Sequence, residues 1–264
     1  MPISVFVVTL NEEANIARCL NGVRDWADEI VVVDSGSHDR TVEIAQSLGA
    51  RVVHHAWPGF LEQKNFALQQ CLHPWVFNID ADEEVSPELH REMVELKPLL
   101  AQKERDGVRA YAIARLSWYG GRWIRHGEWF PDYVSRLFVR QGARFGGCSI
   151  HAGLERAGRV EKLGAPLFHY SYRDAADHKT RSEKYAAEWA RFHAAKGRRA
   201  NALTPLSRAA WSLARGLVLK RGFLDGRVGV SIAGLNAHHV FLKYSKLRAL
   251  QAPDPRSAAK GRAS

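Results

Sequence analysis

The sequence predicts an α/β protein: a Rossmann-like, mostly parallel sheet covered by helices, with a helical C-terminal extension. Three observations predict it. Apolar, β-branched runs alternate with helix-periodic segments through the first eighty residues, the order that builds a parallel sheet from βαβ units. Three of those runs close on polar clusters, which such a sheet delivers to one rim. The basic charge is confined to the last third of the chain, which reads as helices.

Taken in order, Ile3 to Thr9 is an apolar run suited to a strand buried on both faces. A helix is expected from Glu13 to Leu20, a second buried strand from Glu29 to Asp34, and a helix from Asp39 to Leu48 that Gly49 ends. Arg51 to His55 is a third strand, Phe60 to Cys71 has helical periodicity, and Trp75 to Ile79 is a fourth strand running into Asp80. Ser86-Pro87-Glu88 is a helix start, with Ser as N-cap and Pro at the first position, and that helix runs to Leu96. Residues 107–150 are rich in Gly, Trp and Arg and predict strands with long loops, among them Tyr111 to Trp118 and Val134 to Arg140. Helices are expected over 173–196, 205–220 and 227–249. These readings divide the chain into a sheet domain over 1–172, a basic helical extension over 173–250, and a Pro/Ala/Arg/Lys-rich tail over 251–264 expected to be disordered.

With 264 residues, 46% of them hydrophobic and 25% charged, a chain disordered throughout is excluded. Cys19, Cys71 and Cys148 are far apart and lack metal-ligand spacing. They read as small buried residues in a reducing, cytoplasmic compartment. The apolar stretch Ile3 to Leu10 is short and follows no basic region, so no secretory signal is expected. Residues 1–172 hold 19 Lys/Arg against 22 Asp/Glu, a net −3, whereas 173–264 hold 19 against 6, a net +13. A segment so basic attracts polyanions, whether nucleic acid, anionic lipid headgroups or a phosphorylated acceptor, unless it is simply a solvated tail. Within it, Val228 to Leu242 lacks Lys, Arg, Asp and Glu over 15 residues, short of the roughly 20 that cross a bilayer. Flanked by Lys220, Arg221, Lys243, Lys246 and Arg248, it suits either an interfacial helix or one packed on the core.

The chemistry concentrates where strands end. Asp80-Ala81-Asp82 places two carboxylates, two residues apart, directly after a strand. A hard cation prefers such oxygen ligands and also binds phosphate oxygens; the plainer alternative is a solvated acidic turn, which Glu83 and Glu84 would extend. Asp34 closes a buried strand and opens Asp34-Ser-Gly-Ser-His-Asp39-Arg-Thr41. A buried acid needs a partner, and a base edge with an N–H donor is one. Otherwise the segment is a strand-to-helix turn.

Four motifs in series carry a resemblance. Val8-Thr9-Leu10-Asn11-Glu12-Glu13, Val33-Asp34 through Thr41, Gln63-Lys64-Asn65 and Asp80-Ala81-Asp82 resemble glycosyltransferase family 2 in order and interval. Trp129 through Phe138, Cys148-Ser-Ile-His151 and Arg221 through Tyr244 look, more loosely, like the bacterial subgroup that contains lipopolysaccharide-core β-1,4-glucosyltransferases.

The resemblance implies a GT-A fold, a nucleotide-sugar donor such as UDP-glucose, and an inverting single displacement aided by Mg²⁺ or Mn²⁺. By position, Thr9, Asn11 and Glu12 line the nucleoside pocket, Asp34 contacts the base and Lys64 the diphosphate or nucleoside. Asp80 approaches the ribose or metal, and Asp82 ligates the metal. Many family members carry Glu-Asp where this chain has Pro131-Asp132. Asp132 is therefore the expected general base, with Glu128 in reserve. Arg136 and Arg140 are either phosphate ligands or strand-surface cations. His151, followed by Ala152 where relatives often have an acid, is either a metal or phosphate ligand or a loop residue, and His169-Tyr170 is similarly open. Trp118 and Trp123 either stack on sugar rings or fill a core.

The implied acceptor is a lipopolysaccharide-core or other lipid-linked glycan at the cytoplasmic membrane face, with peripheral membrane contact through the basic helices. A protein or peptide acceptor keeps the same fold. A nucleotidyltransferase would want a Gly-rich phosphate loop, and residues 9–15 have none. A non-catalytic polyanion binder lacks any helix-turn-helix, zinc or RNA-binding signature, so no nucleic-acid partner is expected.

Overall fold

The structure is a computed structural model that describes residues 1–148, 151–155, 158–170, 172 and 175–251. The tail expected beyond 251 lies outside the described residues. The described residues form two compact units, those of 1–125 with those of 129–170, and 126–128 with those of 172–251.

In the first unit the chain runs β1 (Ile3–Thr9), α1 (Ile16–Asn21), β2 (Glu29–Asp34), α2 (Thr41–Ser47), β3 (Arg51–His54), α3 (Phe60–Gln70) and β4 (Trp75–Asn78). It continues with β5 (Glu83–Val85), α4 (Pro87–Leu96), α5 (Leu100–Arg105), β6 (Val108–Tyr119), β7 (Arg122–Trp123), β8 (Asp132–Val139), β9 (Arg144–Cys148), β10 (His151–Glu155), β11 (Arg159–Lys162) and β12 (Leu167–His169).

The main sheet has the order β3-β2-β1-β4-β8-β6-β12-β5, with β7 and β11 also pairing with β6. The β3-β2-β1-β4 half is parallel throughout. Beyond it β8 runs antiparallel to both β4 and β6, and β5 antiparallel to β12. The sheet is thus more mixed than the first eighty residues alone predict.

Both faces of β1 are buried, and its side chains alternate between two cores. Ile3, Val5 and Val7 join one with Trp26, Phe77 and Leu89, while Phe6 joins the other with Val31, Val76 and Phe138. This explains why β1 reads as a continuous apolar run: a strand covered on two sides has no solvent face to mark. Each such Ile or Phe contributes about 1.5–3 kcal/mol by leaving water. Ser86 caps α4 as the sequence predicts, its Oγ accepting the Leu89 N–H at 3.1 Å.

The second unit contains α6 (Ala175–Ala195), α7 (Thr204–Ala214) and α8 (Gly226–Ala249). A single π-helical turn over Arg215–Leu219 ends α7 earlier than the expected 220. Close backbone packing replaces side-chain packing where these pieces meet residues 126–128. A Cβ on Gly222 would lie 2.6 Å from the Gly216 carbonyl oxygen, and one on Gly229 only 1.9 Å from that of Gly222. The uncharged stretch 228–242 buries Gly229, Ile232 and Ala233 within this unit. Among the described residues no helix is long and apolar enough to cross a membrane.

Candidate functional site

The parallel half brings three strand ends to one rim. Thr9 lies opposite Asp34 in the β1–β2 register, and β4 runs parallel on the other side of β1, so Asp80 follows at the same edge. The loops after β1 and β2 are zipped together. Asn11 N–H donates to Ser37 Oγ at 2.8 Å, and His38 N–H to Asn11 Oδ1 at 2.9 Å. Glu12 N–H donates to Thr41 Oγ1 at 2.7 Å. Asn11 holds φ at 54°, a left-handed conformation that Asn tolerates better than most residues. Asp34 is buried, and its carboxylate accepts the Gly36 and Ser37 N–H groups at 2.9 Å each as well as the Ser37 hydroxyl. Its charge is therefore met by its own turn, and its burial does not require a ligand. Thr9 Oγ1, by contrast, is buried with no hydrogen-bond partner.

Next to this rim lies a chain of alternating charges. Lys64 on α3 donates to Asp80 Oδ1 at 2.9 Å and reaches Asn78 Oδ1 at 3.4 Å. Arg136 on β8 donates to Asp80 Oδ2 at 2.7 Å, to Asn78 Oδ1 at 3.0 Å and to Glu83 Oε1. Glu83 is fully buried, accepts the Asp80 N–H at 3.1 Å, and lies 3.8 Å from Arg115. Arg115 on β6 clamps Asp132 Oδ2 with Nε at 3.0 Å and with Nη2. The series Lys64–Asp80–Arg136–Glu83–Arg115–Asp132 holds three cations and three carboxylates.

Local structure aims Arg136 into this series. Pairing with β6 steps from Tyr111↔Leu137 to Ala112↔Ser135, so Arg136 is the extra residue of a β-bulge on β8. Bulges re-aim side chains in this way. Burial pushes the Asp80 carboxyl up, but Arg136 and then Lys64 outweigh it and hold the group well below the usual carboxylate range. A cavity of about 200 Å³ opens beside the series, lined by Lys64, Asn78, Tyr133, Ser135, Arg136 and Phe145.

The two acids of the Asp80-Ala81-Asp82 motif part company. Asp80 has both oxygens committed to cations. Asp82 Oδ2 lies 3.7 Å from His169 Nε2, and its carbonyl accepts the Tyr170 N–H at 2.9 Å. No cluster of three or more His, Cys, Asp or Glu residues suited to a metal occurs among the described residues. The Asp82–His169 pair is a carboxylate and an imidazole, a donor set that suits Mn²⁺ or a similar divalent ion if diphosphate oxygens and water complete the shell.

Of the remaining expected residues, Asp132 opens β8 with its side chain 42% exposed. Its Oδ1 carries no hydrogen bond among the described residues. Glu128 belongs to the helical unit, where it accepts from Arg215 Nε at 2.7 Å and Ser212 Oγ at 3.4 Å. Arg140 donates to the His73 carbonyl at 3.1 Å, at the opposite end of β4 from Asp80. His151 begins β10, and its side chain lies outside the described residues. Trp118 packs edge-on to Trp123, which stacks on Phe168 at 4.5 Å.

Glu83, Arg115 and the proximity of His169 to Asp82 were not anticipated from sequence. Arg115 did carry a signal, as the one charge inside the apolar run 111–118. A charge there needs a partner.

A parallel βαβ half continuing through one antiparallel strand into a mixed half is the GT-A transferase architecture, and the comparisons with known proteins agree. The signature described as Glycosyl transferase family 2 matches residues 4–161, and the chain belongs to that family. An uncharacterised glycosyltransferase of Rickettsia typhi is 32% identical over 259 residues, spanning 94% of this chain and 87% of that protein. The lipopolysaccharide core biosynthesis glycosyltransferase LpsC of Rhizobium meliloti is 42% identical over 125 residues, 46% of this chain and 45% of LpsC. The crystal structure of S. aureus TarS superposes with a TM-score of 0.45 at 16% identity, covering 99% of this chain and 92% of that one.

Proposed function

We propose that this glycosyltransferase is an inverting, metal-dependent hexosyltransferase that moves glucose from UDP-glucose to a lipopolysaccharide-core or other lipid-linked glycan. The observation that carries the reading is the charge series, which ties the residues at the nucleotide rim to Asp132, the one carboxylate of the series with an uncommitted oxygen. The similarity to LpsC over nearly half of the chain supports the acceptor class.

On this reading Thr9, Asn11, Glu12 and Asp34 line the nucleoside pocket. The Thr9 hydroxyl has no other partner. A carboxylate offers about four lone-pair sites. Asp34 uses three of them within its own turn, which leaves one for a base N–H. Lys64 has three N–H donors and two protein acceptors, so one donor remains for diphosphate. Asp80 stands by the ribose, locked by Lys64 and Arg136. Arg136 commits three of its four terminal N–H groups to the protein and is buried, and we assign it a positioning role in place of phosphate binding. Asp82 and His169 would hold Mg²⁺ or Mn²⁺, which would neutralise charge on the departing diphosphate. Asp132 Oδ1 takes the proton from the acceptor hydroxyl as that oxygen attacks the sugar carbon directly, so no glycosyl-enzyme intermediate forms.

The test is a panel of nucleotide sugars assayed for hydrolysis with and without Mn²⁺. UDP-glucose is expected to turn over fastest, with Asp82→Ala removing both turnover and the thermal stabilisation by UDP and Mn²⁺. Inert UDP-sugars beside turnover of another nucleotide class would overturn the donor. Metal-independent turnover would overturn the role of Asp82.

A further inference from the structure

The helical unit shows an inverted pattern in α7. A helix on a soluble domain buries its large apolar residues and exposes polar ones. Here the inward positions are Pro205, Ala209, Ser212 and Gly216, at spacings i, i+4, i+7 and i+11, while Leu203, Leu206, Trp211 and Leu213 are exposed. Leu203 is 73% exposed. The pattern continues past the helix. Val218, Leu219, Phe223 and Leu224 are also exposed, with Leu219 at 63%. From 203 to 230 the chain carries five Lys/Arg and one acid, and that acid, Asp225, is buried against His126. Lys220, Arg221 and Arg227 form no ion pair among the described residues.

We propose that residues 203–224 form a docking face that seats on an anionic lipid bilayer. Contiguous exposed apolar residues of this kind mark an interaction surface. The cations around them choose the occupant. Apolar side chains entering the acyl boundary beside unpaired Lys and Arg at headgroup level are the two signals that together hold a protein on an anionic membrane. A second copy of this chain would bring like charge against like. Nucleic acid would satisfy the cations and leave the leucines in water. The face lies in 203–224 and not in the uncharged stretch 228–242, which turns Gly229, Ile232 and Ala233 inward. In functional terms the inference rests on the lipid-linked acceptor proposed above. The experiment below contains neither acceptor nor sugar nucleotide, so each proposal can fail alone.

The experiment is flotation of the full chain with phosphatidylcholine vesicles and with vesicles carrying phosphatidylglycerol. Binding is expected only to the anionic vesicles, and rising salt should weaken it. Lys220→Gln and Arg227→Gln should each weaken it about fivefold. Leu219→Ser with Phe223→Ser should weaken it at least tenfold, with unchanged circular dichroism because both side chains are exposed. If that double variant does not fold, the two charge variants still decide. No binding to anionic vesicles at low salt overturns the proposal, as does binding that none of these variants alters. Reversible dimerisation abolished by Leu219→Ser/Phe223→Ser would overturn it too, by making a second copy the occupant.

Discussion

Glu83→Gln probes the charge series with little change of shape. Glu83 is fully buried between Arg136, itself 2% exposed, and Arg115, and its second oxygen takes the Asp80 N–H. The series holds three positive and three negative groups, so neutralising Glu83 leaves one buried positive charge uncompensated. Breaking a buried ion pair from one side costs about 3–5 kcal/mol. Gln keeps the volume, but its single amide oxygen can accept from Arg136 or from the Asp80 N–H and not from both, so the cost is at least the lower end, about 3 kcal/mol. At about 2–4 °C per kcal/mol for a unit of this size, the melting temperature should fall by about 6–12 °C. Glu84→Gln is the control. Glu84 meets Arg18 at 3.6 Å and the Tyr170 hydroxyl at 3.0 Å, with its side chain 28% exposed, and its loss should cost about 1 kcal/mol or less. Calorimetry on the two variants, with Arg136→Met and the Glu83→Gln/Arg136→Met double variant to close a cycle, gives the coupling directly. A Glu83→Gln protein that melts within 2 °C of the parent, or no further below it than Glu84→Gln, would refute the reasoning.

Three further outcomes follow from the same geometry. Asp132→Asn should lower kcat about 10²- to 10⁴-fold while leaving UDP affinity within about twofold; equal loss in both would make Asp132 a structural residue. The Asp80 carboxyl is held well below its ordinary range by Arg136 and Lys64. Its stabilisation is therefore present above the unfolded value near 3.8 and is lost as pH falls below that. Acid unfolding of Asp80→Asn should accordingly be shallower than that of the parent below about pH 4, and identical slopes would contradict the pairing. In α8, Gly229→Ala should destabilise the helical unit by about 3 kcal/mol, because its Cβ would meet backbone at 1.9 Å. Gly234→Ala, with nothing within 4 Å, should stabilise it by about 0.5–1 kcal/mol. Helical circular dichroism during melting reads both signs.

The parallel half was legible because its signals are local. Apolar runs, the Ser86-Pro87 cap and the polar residues after each strand lie within a few positions of what they specify. The mixed half was less so. β5 has three residues, and it exists because Leu167–His169 pairs with it from far along the chain; nothing near Glu83 announces that partner. Glu83 and Glu84 therefore read as the extension of a solvated acidic turn, the plainer alternative for this segment, whereas strand geometry buries Glu83 and Val85 and leaves Glu84 half-buried. Asp34 shows the converse. Its burial was legible, but its partners are the N–H groups of its own turn, which composition does not reveal. In α7 the apolar character was plain in sequence. Which side faces inward depends on close packing against α8, and the small residues at 205, 209, 212 and 216 were the available sign.

The charge series also bears on why such a site is built from ions. At the buried Arg136–Glu83 pair, apolar side chains of similar volume would stabilise the sheet as well or better, since desolvation offsets most of the pair's attraction. What ions supply here is direction. Arg115 engages Asp132 through two nitrogens on one oxygen, Oδ2, which anchors that oxygen and leaves Oδ1 uncommitted. Arg115 is in turn positioned beside Glu83, Glu83 by Arg136, and Arg136 by Asp80, the residue that Lys64 ties to the nucleotide rim. With Asp132 as the proposed base, one connected structure runs from the proton acceptor to the rim at which the nucleotide sugar is proposed to bind. The proposed base is anchored by Arg115 and still keeps its side chain 42% exposed, where an acceptor could reach it.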